Sequence, residues 1–264
     1  MRADAYKKLL IERAGRRLRI TLNRPEALNA VDGEMHEELA RVFADAAADR
    51  DSDLVILTGA GRAFSAGGDV AWLQAMIDDP RLFETCAVEA KRIVFSLLDC
   101  EKPVIARVNG HAAGLGATLA LFCDVIFAAD TARIGDPHVG IGLVAGDGGA
   151  VIWPQLVGYA RAKEFLMTGD LIPAAKAAEI GLINHAEPAD QLDAAVDAFA
   201  ARLEAGAVKA IRWTKTVCNI GLKQLAHSIM DASIAYEALS NATRDHQEGV
   251  AAFREKRRPV FDGR

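Results

Sequence analysis

The chain has 264 residues, of which 51% are hydrophobic and 25% charged, and its net charge at neutral pH is −5. These proportions are typical of a globular protein with one substantial core, and the acidic balance argues against nucleic acid as a partner. No apolar run approaches the ~18 residues of a membrane span, and the four cysteines lack the spacing of a disulfide framework or a zinc site. We therefore expect a cytoplasmic protein that binds neither a membrane nor a metal.

The first part of the chain predicts strands that alternate with helices. Two short strands are expected at 9–13 and 17–22, and Asp32 is placed as the N-cap of an amphipathic helix that includes Met35 and Leu39. Further strands are expected at 53–59, 102–108, 124–128 and 132–135, and helices at 70–77, 82–98 and up to residue 122. This repeated order favours a spiral of ββα units.

Strands become rare after about residue 145, and three helices are expected at 191–205, 208–218 and 222–239. We divide the chain into a core, residues 1–200, and a C-terminal helical region, residues 201–264. The apolar stripes of these helices predict that the region packs on the core or on another subunit.

Two glycine-rich loops carry the strongest functional indication. Residues 61–69 (GRAFSAGGD) and 109–117 (NGHAAGLGA) each follow an apolar strand and lead into a helix. Such turns leave backbone N–H groups unpaired and directed at one point, where a helix N-terminus adds a favourable dipole. Neither loop fits a common phosphate-binding pattern. Two loops facing each other predict an oxyanion hole for charge that develops on a carbonyl oxygen.

Further motifs accompany the two loops along the chain. They are LNRPEALNA at 22–30, CDV at 123–125, LMTGD at 166–170, AEIGLI at 178–183 and FREKR at 253–257. In this order and spacing the chain resembles the crotonase (enoyl-CoA hydratase/isomerase) superfamily from end to end. The resemblance implies an α/β, ClpP-like spiral of ββα units with a C-terminal helical region, assembled as a homotrimer or a dimer of trimers. It also implies an acyl-CoA substrate, with coenzyme A present as part of the thioester and no permanently bound cofactor.

The resemblance also implies particular site residues. The backbone N–H groups of Gly68 and Leu115 would form the oxyanion hole that stabilises a thioester enolate. Coenzyme A would contact Arg24, Ala27, Ala66, Asp69, Val70, Phe253 and Lys256. Among these, Arg24 is expected to pair with a phosphate, and Phe253 and Lys256 with adenine and phosphate.

This chain departs from the family at both catalytic glutamates of a hydratase. Thr118 stands at the first position, and His138 stands at the second. Asp147 lies nine residues after His138, close enough across a short loop to reach the imidazole and fix its tautomer. A neutral imidazole with a pKa near 6.5 is a suitable base at pH 7. We predict His138 as the acid/base and Asp147 as its orienting group or a second acid/base.

Alternatives stay open at this point. Asp147 precedes Gly148 and Gly149, and it would also serve as a simple helix N-cap. The resemblance favours an enoyl-CoA hydratase/isomerase reaction. A hydrolase that cleaves a β-diketone or a thioester with His138 and Asp147 is the second hypothesis, and a non-catalytic acyl-CoA binder is the third.

Overall fold

A computed structural model describes all residues, 1–264. The strands are β1 (Leu9–Ala14), β2 (Arg17–Leu22), β3 (Leu54–Gly59), β4 (Val104–Val108), β5 (Ala112–Ala113), β6 (Val125–Ala129), β7 (Arg133–Gly135), β8 (Ile172–Pro173) and β9 (His185–Glu187). The helices are α1 (Gly33–Ala48), α2 (Val70–Asp78), α3 (Arg81–Asp99), α4 (Leu115–Leu121), α5 (Gly149–Thr168), α6 (Ala174–Glu179), α7 (Leu192–Glu204), α8 (Val208–Asn241) and α9 (Arg244–Arg254). Single 3-10 turns lie at Ala3–Ala5, Pro25–Ala27 and His138–Ile141.

The strands form two sheets. The larger has six strands in the order β1-β2-β3-β4-β6-β9, and only the β1–β2 pair is antiparallel. The smaller has the order β5-β7-β8. Every residue of β3 is buried, because this strand lies inside a largely parallel sheet that is covered on both faces. This explains why its sequence is a nearly continuous apolar run. The parallel order brings the carboxyl ends of β3 and β4 to the same edge, so both glycine-rich loops begin there.

The predicted α/β class is confirmed, and the predicted elements up to residue 135 agree with the structure within about two residues. Asp32 is the N-cap of α1, where its side chain accepts a hydrogen bond from the Met35 N–H at 2.8 Å. The expected break between residues 218 and 222 is wrong, since α8 runs continuously through it. Gly221 lies in open space within this helix, and a helix that is anchored elsewhere tolerates the ~1 kcal/mol cost of one glycine.

The C-terminal helices pack on the core. Ala226, Met230 and Ile234 of α8 and Val250 of α9 belong to the same buried apolar cluster as the large sheet. The opposite face of α8 exposes large apolar side chains: Trp213, Val217 and Ile220. The division at residue 200 stays a prediction. None of the helices combines the length and the apolar character that crossing a membrane requires.

Candidate functional site

The two glycine-rich loops are held together by backbone pairing. Ser65 and Ala112 form a parallel bridge, and the Ala113 N–H donates to the Ser65 carbonyl at 3.0 Å. Gly67 has a left-handed φ of 89°, and a Cβ there would lie 2.9 Å from the Ala113 carbonyl oxygen. Only glycine allows this approach, because a side chain would be strained by the φ and would also separate the loops.

The amides of Gly68 and Leu115 lie at this junction. No backbone or side-chain acceptor pairs with either N–H group, and Leu115 is the first residue of α4, where the helix leaves its first amides free. Both residues line one cavity of about 310 Å³. The geometry therefore fits the oxyanion hole expected from the sequence, and the role of the two amides stays a prediction.

His138 is held in this cavity by a buried carboxylate. It begins the 3-10 turn His138–Ile141, and its Nδ1–H donates to Asp136, whose side chain is fully buried. The opposite ring nitrogen, Nε2, lies 3.7 Å from Asp147 Oδ2. A Cβ on Gly114 would lie 3.5 Å from the ring, so the imidazole borders the second glycine-rich loop.

Asp136 therefore takes the orienting position that the sequence analysis gave to Asp147. Asp147 reaches the ring from the other side, and its second oxygen accepts a hydrogen bond from Thr118 Oγ1 at 3.1 Å. The N-cap of α5 is Gly148, so Asp147 lies one residue before the capping position. Thr118, at the position where the resemblance places the first glutamate, is thus a hydrogen-bond partner of Asp147.

A second acid that lines the cavity was not predicted from the sequence. Glu237 lies on α8, is 8% exposed, and lines the same cavity as His138 and Asp147. Burial and the nearby charge of Asp147 raise the pKa of Glu237 to about 8. This raised pKa favours the neutral, protonated form of Glu237 at neutral pH.

The charges around His138 also correct its predicted pKa. Burial alone would lower the pKa of His138, but the carboxylates of Asp136 and Asp147 outweigh it and raise that pKa well above the ordinary value. The expectation of a pKa near 6.5 for His138 is therefore wrong. Burial raises the pKa of Asp147, and the charge of His138 opposes that rise.

The geometry of Asp136, His138 and Asp147 does not suit a metal centre. Possible ligand atoms of Asp136, His138 and Asp147 lie within 4.8 Å of one another. The two carboxylates, however, contact different nitrogens of one ring, and a single ion cannot bridge both sides of an imidazole. The arrangement instead suits proton transfer.

Arg24, which is expected to pair with a phosphate, contacts two carboxylates of the chain itself. Its Nε lies 3.2 Å from Asp32, and its Nη1 lies 3.0 Å from Asp69 and donates to the Ala30 carbonyl at 2.6 Å. Asp69 in turn caps α2 by accepting from the Ala71 N–H. The Arg24 guanidinium thus joins the caps of α1 and α2, and these carboxylates balance its charge.

Three of the other residues expected to contact coenzyme A line the cavity, and two are not among its lining residues. Ala66, Val70 and Phe253 line the cavity, and Phe253 is 62% exposed. Ala27 belongs to the 3-10 turn Pro25–Ala27, and Lys256 is exposed just after α9. Their contacts with coenzyme A stay a prediction.

Comparison with known proteins agrees with this geometry. The family model for enoyl-CoA hydratase/isomerase matches residues 15–264. The chain belongs to this family, within the crotonase superfamily.

Related proteins share nearly the whole length of the chain. A crotonyl-CoA hydratase of Syntrophomonas wolfei is 35% identical over 265 residues, covering 97% of this chain and 98% of the relative. A short-chain-enoyl-CoA hydratase of Clostridium acetobutylicum is 34% identical, covering 95% of each protein. The crystal structure of an enoyl-CoA hydratase/isomerase from Mycobacterium paratuberculosis superimposes with a TM-score of 0.89 at 37% identity, covering 92% of this chain and 97% of that one. This member of the family is thus an acyl-CoA enzyme of the enoyl-CoA hydratase/isomerase type, and the hydrolase and silent-binder alternatives are not favoured.

Proposed function

We propose that the enzyme adds water reversibly to a 2-enoyl-CoA, with Asp147 and His138 in place of the two glutamates. The observation that carries this proposal is that the free amides of Gly68 and Leu115 and the His138–Asp147 pair open into one cavity. The related proteins named as enoyl-CoA hydratases support the same reaction class.

The reaction needs one proton acceptor and one proton donor. Asp147 takes a proton from water as the water oxygen bonds to Cβ of the enoyl group. The electron pair of the double bond moves towards the thioester oxygen, where Gly68 N–H and Leu115 N–H hold the enolate. His138 Nε2–H then protonates Cα, and the proton on Asp147 passes to the ring to restore the starting state.

Supporting groups keep this pair in its reactive state. Asp136 holds His138 through Nδ1, so Nε2 faces the cavity, and Thr118 holds one oxygen of Asp147. Glu237 stays neutral and so adds no further negative charge beside Asp147. Within this proposal, Asp136, Thr118 and Glu237 are positioning residues.

Coenzyme A would enter beside Ala66 and Val70, with Phe253 and Lys256 near its nucleotide end, and no permanently bound cofactor would be needed. We also propose the homotrimer, or dimer of trimers, that the family resemblance implies. The exposed apolar stripe on α8 supports this assembly, because such a surface favours a protein contact. The four free cysteines fit a reducing compartment such as the cytoplasm.

The proposal is tested by mass spectrometry of the products. Purified enzyme is incubated with crotonyl-CoA, with 3-butenoyl-CoA, and with saturated butyryl-CoA as the control. We expect crotonyl-CoA to gain one water and butyryl-CoA to stay unchanged. Isomerisation of 3-butenoyl-CoA without any hydration of crotonyl-CoA would instead make the enzyme an isomerase, and release of free CoA would make it a hydrolase.

A further inference from the structure

A second histidine lies on another wall of the same cavity. His36 is in the first turns of α1, is 1% exposed, and its Nδ1 lies 2.7 Å from Glu89 Oε2 on α3. Its Nε2 lies 3.9 Å from Cys86 Sγ, and its ring packs against Trp72 with 5.0 Å between ring centroids. His36, Cys86 and Trp72 all line the cavity.

The hydrogen bond to Glu89 fixes which ring nitrogen of His36 carries the proton. A carboxylate only accepts hydrogen bonds, so Nδ1 carries the proton and, in the neutral ring, Nε2 is left as an acceptor. Burial raises the pKa of the Cys86 thiol well above its ordinary value, and the sulfur therefore keeps its proton. Nε2 is thus partnered only by a weak S–H donor at long range.

This polar pair interrupts an otherwise apolar wall. The neighbouring lining residues from α2 and α3 are Leu73, Met76, Phe83, Ala87 and Ala90. A plain hydrocarbon chain packed here would give the His36 nitrogen no hydrogen bond beyond its long contact with Cys86, and a buried polar atom left unpaired costs ~1–3 kcal/mol. The wall therefore favours an acyl chain that brings its own polar group.

The charges nearby define which polar group fits. A carboxylate would be repelled by Glu89, and an ammonium would lose its hydration against Trp72 and Met76. A hydroxyl group can donate to Nε2 and accept from the thiol at once, so it satisfies both partners without adding charge.

We propose that His36 and Cys86 form a specificity site for a hydroxyl group on the acyl chain, and that the preferred substrate is a hydroxylated short acyl-CoA. This inference rests on the proposed function for its acyl-CoA setting, and it deepens that function by naming the substrate class. Glu89 acts through His36 as a positioning residue. A site that hydrogen-bonds a substrate hydroxyl discriminates strongly against the analogue that lacks it.

Calorimetric binding of saturated esters tests the proposal separately from catalysis, because neither ester of a pair can be hydrated. The pairs are butanoyl- and 4-hydroxybutanoyl-CoA, pentanoyl- and 5-hydroxypentanoyl-CoA, and hexanoyl- and 6-hydroxyhexanoyl-CoA. We expect the hydroxylated ester of at least one pair to bind about tenfold more tightly to the wild-type enzyme. Equal or tighter binding of the plain ester in all three pairs would overturn the proposal.

Two variants locate the preference. His36→Phe is expected to reduce the affinity ratio between the hydroxylated and the plain ester to within about threefold. His227→Phe, the same change at an exposed position on α8, should leave this ratio as in the wild type. Cys86→Ala gives a second reading should His36→Phe fail to fold, and it should weaken the preference. A preference that survives in both His36→Phe and Cys86→Ala would contradict this site. If the enzyme does not hydrate crotonyl-CoA but still binds the hydroxylated ester more tightly, only the proposed reaction is overturned.

Discussion

Glu237 makes the stability of this enzyme depend on pH in a definite direction. The pKa of this carboxyl group is about 8 in the folded chain, compared with an ordinary value of 4.5. Between these values the unfolded chain has lost the proton and the folded chain still holds it. The free energy of unfolding therefore falls as the pH rises through this interval. Glu237→Gln has an amide that cannot ionise, so the variant should escape this loss.

The size of the effect follows from the same interval. The pKa of Glu237 rises from 4.5 to about 8, an interval of about 3.5 pH units. Each pH unit changes the free energy of unfolding by at most about 1.4 kcal/mol, so the upper limit of the effect is about 5 kcal/mol. Asp147 and His138 titrate in the same cavity, and their response spreads the change over a wider pH range. We therefore expect a gain of about 0.5–1 kcal/mol per pH unit for Glu237→Gln relative to the wild type.

Urea denaturation at fixed protein concentration, repeated at each unit from pH 5 to pH 9, measures this difference. The stability gap between Glu237→Gln and the wild type should widen up to about pH 8 and then stay constant. Glu164→Gln, the same change at an exposed position of α5, controls for the substitution itself and should show no widening. A gap of equal size at pH 5 and pH 8 would refute the assignment of Glu237 as a buried neutral acid.

Three further predictions address the loops and the ring. His138→Ala should lower the turnover of crotonyl-CoA by ~100-fold or more, and a change within about threefold in steady-state assays would remove His138 from the mechanism. Gly67→Ala places a methyl group 2.9 Å from the Ala113 carbonyl oxygen, so turnover should fall by ~100-fold while circular dichroism still shows a folded chain. Turnover equal to that of the wild type would contradict the proposed role of the loop junction. Arg24→Met leaves the carboxylates that cap α1 and α2 without their shared cation, and urea denaturation should show a loss of about 2 kcal/mol. Unchanged stability would instead leave Arg24 free for a phosphate.

Local patterns in the sequence were sufficient for much of the fold and for the two loops. Asp32 as a cap, the apolar strands and the glycines of residues 61–69 act on their immediate neighbours, and the spacing of residues alone predicts them. The continuity of α8 through Gly221 was not predictable in this way, because packing at Ala226 and Met230 stabilises the helix over a glycine that would weaken it in isolation.

The missing site residues have different explanations. Asp136 had a detectable indication, because a carboxylate two residues before His138 in an Asp-Pro-His segment is within reach of Nδ1. Glu237 had a weaker one, since it shares a buried helical stripe with Met230 and Ile234, where an acid is unusual. The protonation state of His138 depends on charges that meet only in the folded chain, so a pKa near its ordinary value was the natural but wrong expectation.

Asp147→Asn tests the central claim most directly, because the amide keeps the shape of the side chain and its contact with Thr118 but cannot take a proton from water. The measurement is the turnover of crotonyl-CoA by this variant beside the wild type. We predict a fall of ~100-fold or more. Turnover equal to that of the wild type would contradict the account, since water would then be activated by some other group.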